Sequence, residues 1–197
     1  MITVVYTSNT GYTEQYAELL ARRLGTSALS LSDARRTLER GSNIVYLGWI
    51  RSDKIMGYAD ARRLFTVLAI GAVGMSDPAI ADEEDNRAHA AEVAEGSASD
   101  SEDYDPNYNL NMLTAALVSK NDIGGTPLFY LRGGFSFDRL RGFDRCMMKM
   151  VLKSYRGYDP NDPSISAQDR SLMLLMNNGG NCVREANLDD LCRLLGF

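Results

Sequence analysis

The sequence is poor in the residues that most enzymes use for acid–base and metal chemistry. It holds one histidine, His89, and three cysteines, Cys146, Cys182 and Cys192. No two cysteines form a CxxC pair and their number is odd, so neither a zinc ribbon nor a fully bridged secreted scaffold fits, and a reducing, cytoplasmic setting is the expectation. A single imidazole also leaves little material for metal centres or for general-base schemes at neutral pH. His89 lies in a polar, alanine-rich run that reads as solvated surface. Long apolar runs are missing too: nothing approaches the ~18 unbroken apolar residues of a spanning helix. The opening Met-Ile-Thr-Val-Val-Tyr has the character of a strand, not of an export signal. Membrane association is therefore not expected. A net charge of −5, with no basic patch interleaved with aromatics, argues against nucleic acid. What remains is a chain of 197 residues, 45% of them apolar, long enough to bury a full core without disulfides.

The charge is unevenly spread. Residues 77–105 carry eleven Asp or Glu against one Arg, a balance of −10, so the rest of the chain is basic by +5. This stretch has few large apolar residues to bury. Residues 77–108 therefore read as an acidic insertion within a single domain spanning 1–197, with a short exposed helix over 82–95 and a loop after it. It is either a solvated excursion or a surface that orients a basic redox partner.

Along the chain, strands alternate with helices. Ile2–Tyr6 is a β-branched and aromatic run, and Thr13–Leu24 then places Tyr16, Leu19, Leu20 and Leu24 on one helical face before Gly25 stops it. Ala28–Leu31 suits a brief strand, Asp33–Arg40 a polar helix, and Asn43–Ile50 a strand covered on both faces. A helix at Asp60–Phe65 leads into a fourth strand at Thr66–Val73. Leu113–Val118 continues a helix and Thr126–Arg132 makes a fifth strand. This rhythm predicts an α/β fold: a doubly wound sheet of five parallel strands, helices on both faces, and a ligand crevice beyond the carboxyl ends of the strands.

A long helix over Asp138–Tyr155 is expected to bury Leu140, Phe143, Met147 and Val151. Its basic stripe of Arg141, Arg145, Lys149 and Lys153 is a solvated face or a rest for an anionic surface or partner. Met147, Met148 and Met150 read as packing. Residues 159–169 read as a loop, and Asn187 opens a closing helix through Leu194.

The chemistry concentrates between the first strand and first helix, in Thr7-Ser8-Asn9-Thr10-Gly11-Tyr12-Thr13. Four aliphatic hydroxyls meet the free N–H groups and positive dipole end of a helix, and Gly11 lets backbone turn closely against an anion. The Gly-x-x-x-x-Gly-Lys and Gly-x-Gly-x-x-Gly patterns are both missing, so one terminal monophosphate is the economical ligand. Ordinary capping hydroxyls are the plainer explanation.

These residues resemble the FMN phosphate loop of the flavodoxins, whose pattern of Thr or Ser, any, Thr, Gly, any, Thr falls on Ser8, Thr10, Gly11 and Thr13. Thr7 and Asn9 would be further donors, with Tyr12 between Gly11 and Thr13. The resemblance implies a flavodoxin-like fold with FMN as cofactor. It also implies that the loops after the third and fourth strands, Trp49–Gly57 and Gly74–Pro78, hold the flavin ring. That brings Trp49, Ile50, Arg51, Gly74, Met75 and Ser76 to the site, with Trp49 as a stacking face or else a core residue at a strand end. Arg51 and Lys54 become the cations whose orientation sets the flavin potential, and a backbone carbonyl near Gly57 or Gly74 becomes an acceptor for flavin N5. Leu131-Arg132-Gly133-Gly134-Phe135 with Phe143-Asp144-Arg145 further resembles the flavodoxin-like protoporphyrinogen oxidases, although Gly133-Gly134 also suits a tight turn. The implied function is an FMN-binding electron-transfer protein serving soluble redox partner proteins. The alternatives are a flavin-dependent oxidoreductase of the protoporphyrinogen oxidase type and a module of the same fold that acts by interaction without flavin. No metal is expected, and no catalytic residue is assigned.

Overall fold

The computed structural model describes residues 2–80, 108–155, 159, 162 and 165–197. The expected helix over 82–95, most of the acidic insertion and His89 lie outside the described residues. The chain is α/β with a mostly parallel central sheet. Its strands are β1 (Thr3–Thr7), β2 (Ala28–Ser30), β3 (Asn43–Arg51), β4 (Lys54–Ile55), β5 (Thr66–Gly74) and β6 (Leu128–Arg132). The parallel order is β2-β1-β3-β5-β6, and β4 folds back antiparallel on the end of β3. Because the order reverses between β1 and β3, a crevice opens there at the carboxyl ends.

Between the strands run α1 (Tyr12–Arg23), α2 (Leu31–Thr37), α3 (Tyr58–Leu64) and α4 (Tyr108–Asn121). The period-2 alternation of each strand divides the core. Val4, Val45, Leu47, Ala69, Val73 and Leu131 pack with Tyr16, Ala17 and Leu20 of α1 on one side. Val5, Ile44, Tyr46, Ile70 and Ala72 pack with Ala34 of α2, Ala61 of α3 and Leu117 of α4 on the other. Both faces of the sheet are therefore covered by helices, as the continuous apolar character of β3 demands.

After β6 the chain leaves the sheet. It passes through β7 (Gly134–Phe135), a 3₁₀ turn (Phe137–Arg139), α5 (Gly142–Tyr155), α6 (Ala167–Asn178) and β8 (Gly180–Asn181). It then returns through a second 3₁₀ turn (Glu185–Leu188) to α7 (Asp189–Leu194), whose Leu191 closes the α1 side of the core. β7 and β8 pair antiparallel, Gly134 with Asn181 and Phe135 with Gly180, so the excursion begins and ends at one point. It is a lobe inserted between β6 and the closing helix.

The expected helix over 138–155 is corrected here. Leu140 is extended at φ −68°, ψ 140°, and Gly142 takes φ +54°, so α5 starts only at Gly142. Leu140 is buried from outside the helix, whereas Phe143 is 68% exposed. Helix α6 begins at Ala167, inside the stretch 159–169 read as a loop, and matches no expected element. The Gly133-Gly134 pair is not a tight turn. A Cβ on Gly134 would meet the Gly180 carbonyl oxygen and lie 2.7 Å from the Tyr12 ring, so close packing across the ribbon requires glycine.

Candidate functional site

The site is built outward from Gly11. Its φ of +91° turns the chain from β1 into α1, and no side chain caps the helix. Ser8 Oγ accepts the Gly11 N–H at 3.0 Å and so shapes the loop from within. The first intrahelical bond runs from Gln15 N–H to the Gly11 carbonyl at 3.1 Å, which leaves the N–H groups of Tyr12, Thr13 and Glu14 without a helical acceptor. No described residue takes the Thr10 or Thr13 hydroxyl. Uncapped amides, a helix dipole and free hydroxyls together gather hydrogen-bond donors at one corner.

This corner opens into a cleft of about 360 Å³ at the carboxyl ends of β1, β3, β5 and β6. Of the residues singled out from sequence, Asn9, Thr10, Tyr12, Thr13, Trp49, Ile50, Arg51, Gly74, Met75 and Ser76 line it together. Thr7 does not. Its hydroxyl donates to the Met56 carbonyl at 2.5 Å and lies 3.0 Å from the Tyr46 hydroxyl, so it ties the loop to the sheet beneath. Ser8 and Gly11 shape the corner without lining the cleft. Lys54 is exposed in β4 and away from it.

Gly57 packs against Thr7 and Tyr46, and its carbonyl accepts Ala61 N–H at 3.0 Å. The Gly74 carbonyl accepts Gly133 N–H at 2.7 Å. Both carbonyls thus already accept one hydrogen bond within the fold. Gly74 also has a steric role, since a Cβ there would lie 2.8 Å from Tyr130 Cε2. The Tyr130 hydroxyl donates to the Ser76 carbonyl at 3.1 Å and holds the loop after β5, while burial pushes its pKa up to about 12. An ion pair between Arg132 and Asp77 anchors the same loop. Tyr12 is also pushed up, chiefly by burial.

The remaining walls come in part from the expected loop Trp49–Gly57 and in part from residues that no sequence expectation placed there. Ser52 and Asp53 form the β3–β4 turn at φ +46° and +63°. Asn121 of α4 holds that hairpin, accepting Ile55 N–H at 2.7 Å and donating to the Asp53 carbonyl at 2.7 Å. From the inserted lobe, Phe135, Leu140, Asp144, Met147, Met148 and Leu172 close the far side. Two lobe residues reach the glycine loop itself. Asp144 Oδ2 accepts from Asn9 Nδ2 at 3.0 Å, and Arg139 donates to the Thr10 carbonyl at 3.3 Å with its guanidinium 5.8 Å from the centre of the Tyr12 ring. Positive charge, missing from the loop's own sequence, thus comes from the lobe.

Among the described residues no group of three or more His, Cys, Asp or Glu is arranged to hold a metal ion, and no helix is long and apolar enough to cross a membrane. No protein-family model matches the chain, and no curated protein matches it.

Proposed function

We propose that the chain is a flavodoxin-like FMN-binding protein that transfers electrons to and from partner proteins. One observation carries this reading: an uncapped helix start with unspent Thr10 and Thr13 hydroxyls opens into a cleft at the reversal point of a parallel sheet, with the only tryptophan, Trp49, on its wall. The donor set fits a terminal phosphate, because the backbone N–H groups of Tyr12 and Thr13 supply partial positive charge without needing a lysine. Trp49, Ile50 and the loop Gly74–Ser76 offer the flat and apolar surface that an aromatic ring system needs. Leu140 and Met147 of the lobe exclude water from that side. When bound, FMN supplies the electron-transfer chemistry; this chain's residues bind it, orient it and set its electrostatic surroundings.

The test uses the full chain. FMN added to the flavin-free protein is expected to turn it yellow and to quench Trp49 fluorescence, which reports from the cleft alone because there is no second tryptophan. Riboflavin, lacking the phosphate, is expected to bind at least tenfold more weakly, the loss of one or more charge-assisted hydrogen bonds. A chain that stays colourless and unquenched in excess FMN overturns the proposal and leaves a flavin-free interaction module.

The lobe's apolar wall of Leu140, Met147, Met148 and Leu172 favours a second reading, a flavin-dependent oxidoreductase of the protoporphyrinogen oxidase type, with its organic substrate beside the cofactor. Turnover of a porphyrinogen with a quinone by the flavin-loaded chain would select it over the electron carrier.

A further inference from the structure

Among the described residues, the Arg, Lys, Asp and Glu side chains that line the cleft are Arg51, Asp53 and Asp144. Asp53 is exposed at its turn. Arg51 and Asp144 are linked. Arg51 Nη2 lies 3.2 Å from Asp144 Oδ1, their side chains are 31% and 20% exposed, and the guanidinium lies 5.2 Å from the centre of the Phe143 ring. Asp144 Oδ2 is held by Asn9, while the Oδ1 atom is buried and accepts no hydrogen bond. Its charge is compensated by Arg51 through the ion pair. The nearby lobe cations are directed elsewhere. Arg145 donates to the carbonyls of Phe137, Asp138 and Leu140 and stacks on Phe137, and Arg139 donates to the Thr10 carbonyl.

We propose that Asp144 is a positioning residue that neutralises Arg51 at the cleft wall and thereby keeps the reduction potential of the bound flavin from rising. The inference rests on the FMN reading above. Reduced flavin carries more negative charge than oxidised flavin, so a lone cation on the wall favours the reduced form and a lone carboxylate disfavours it. Paired, the two charges cancel at the distance of the ring. The lobe therefore acts on the cofactor through charge as well as by covering it, because Asp144 belongs to the lobe and Arg51 to the sheet.

The test is a double-variant cycle read as the midpoint potential of the FMN-loaded chain. Asp144→Asn is expected to raise the potential, Arg51→Gln to lower it, and the double variant to return close to the parent. Each single change is expected to alter the ratio of affinities for reduced and oxidised flavin by about tenfold, in opposite directions, the order expected for one partly screened unit charge. Asp144→Glu and Arg51→Lys keep the charges and are expected to keep the parent potential; they serve as the test should either neutral variant fail to fold. A merely structural role for Asp144 would lower melting temperature but would not produce shifts of opposite sign that cancel. Flavin-loaded variants whose potentials do not move, or move in the same direction, overturn the inference while the FMN reading stands. A chain that takes up no flavin overturns both.

Discussion

The sheet and the inserted lobe are held together by different means. Among the described residues, each face of the sheet carries a cluster of thirteen buried apolar side chains, and these clusters include Tyr16 and Tyr46 at full burial. The lobe has one cluster of four, Phe135, Leu140, Leu175 and Met176, with partly buried side chains such as Met148 and Leu172 packed around it. The lobe is tied to the rest of the fold by Met75, which packs against that cluster, and by polar contacts: Asp144 with Asn9 and Arg51, Arg139 with the Thr10 carbonyl, and Asn181 with Gln15. The smaller buried cluster of the lobe leads us to expect that it opens locally at lower free energy than the sheet. A well-packed support beneath and a less stable cover above would suit the proposed FMN site, which must admit and retain a planar ring.

The largest test of that difference removes one core side chain from each region. Leu131→Ala, at a fully buried position of β6, is expected to cost about 2–5 kcal/mol and to lower the main unfolding transition. Phe135→Ala, 3% exposed in β7, is expected to cost a comparable amount locally. That loss should appear as faster amide exchange in α5 and α6, with β1 and β3 protected as before. Equal acceleration across sheet and lobe after Phe135→Ala would show one cooperative unit and remove the contrast.

A smaller effect comes from pH and belongs to the sheet. Burial raises Tyr130 from 10.0 to about 12, and it raises Tyr46 further in the same direction. Each remains neutral in the folded chain while the unfolded chain ionises. The stability they contribute is therefore complete below about pH 10 and falls as pH rises from 10 towards 12, by about 1.4 kcal/mol per pH unit for each such tyrosine. Denaturant melts at pH 9 and pH 11, followed with tyrosinate absorbance, check this. A midpoint that does not fall between them would mean that these phenols are wetter than their surroundings imply.

The two regions also differ in how much of them can be read from sequence. Helix α1 and strand β3 are legible because local spacing determines them: the 3.6-residue stripe of α1 and the unbroken apolar run of β3 each allow one burial pattern. The corner at Gly11 is legible for the same reason, since its chemistry sits in seven consecutive residues. Thr7 misleads because its hydroxyl is claimed by Tyr46 and Met56, which only folding brings near. Ser52 and Asp53 fall in the loop Trp49–Gly57 expected at the site, but the hairpin they form hides because non-glycine residues take positive φ there. Asp144 and Arg139 meet the loop across separations of 135 and 129 residues, beyond any local pattern. Helix α6 is obscured by the consecutive run Leu172-Met173-Leu174-Leu175-Met176, which shows no period. Yet it had a start signal, Ser166 followed three residues later by Asp169.

That signal gives the finest comparison, because the same cap occurs in both regions. Ser30 Oγ accepts Asp33 N–H at 3.1 Å at the start of α2, and Ser166 Oγ accepts Asp169 N–H at 3.0 Å at the start of α6. Replacing either serine by alanine is expected to cost about 1 kcal/mol of local helix stability. In α2 that cost is shared with the sheet core through Leu31 and Ala34, so Ser30→Ala should lower the main transition slightly and leave FMN affinity unchanged. In α6 it falls on the helix that carries Leu172 to the cleft wall. Ser166→Ala should therefore leave the main transition in place while weakening FMN binding about two- to fivefold, since a cover that opens more often holds its ligand less of the time. Matched melts and FMN titrations of the two variants decide it, and an equal loss of affinity in both would mean that the lobe does not control retention of the ligand.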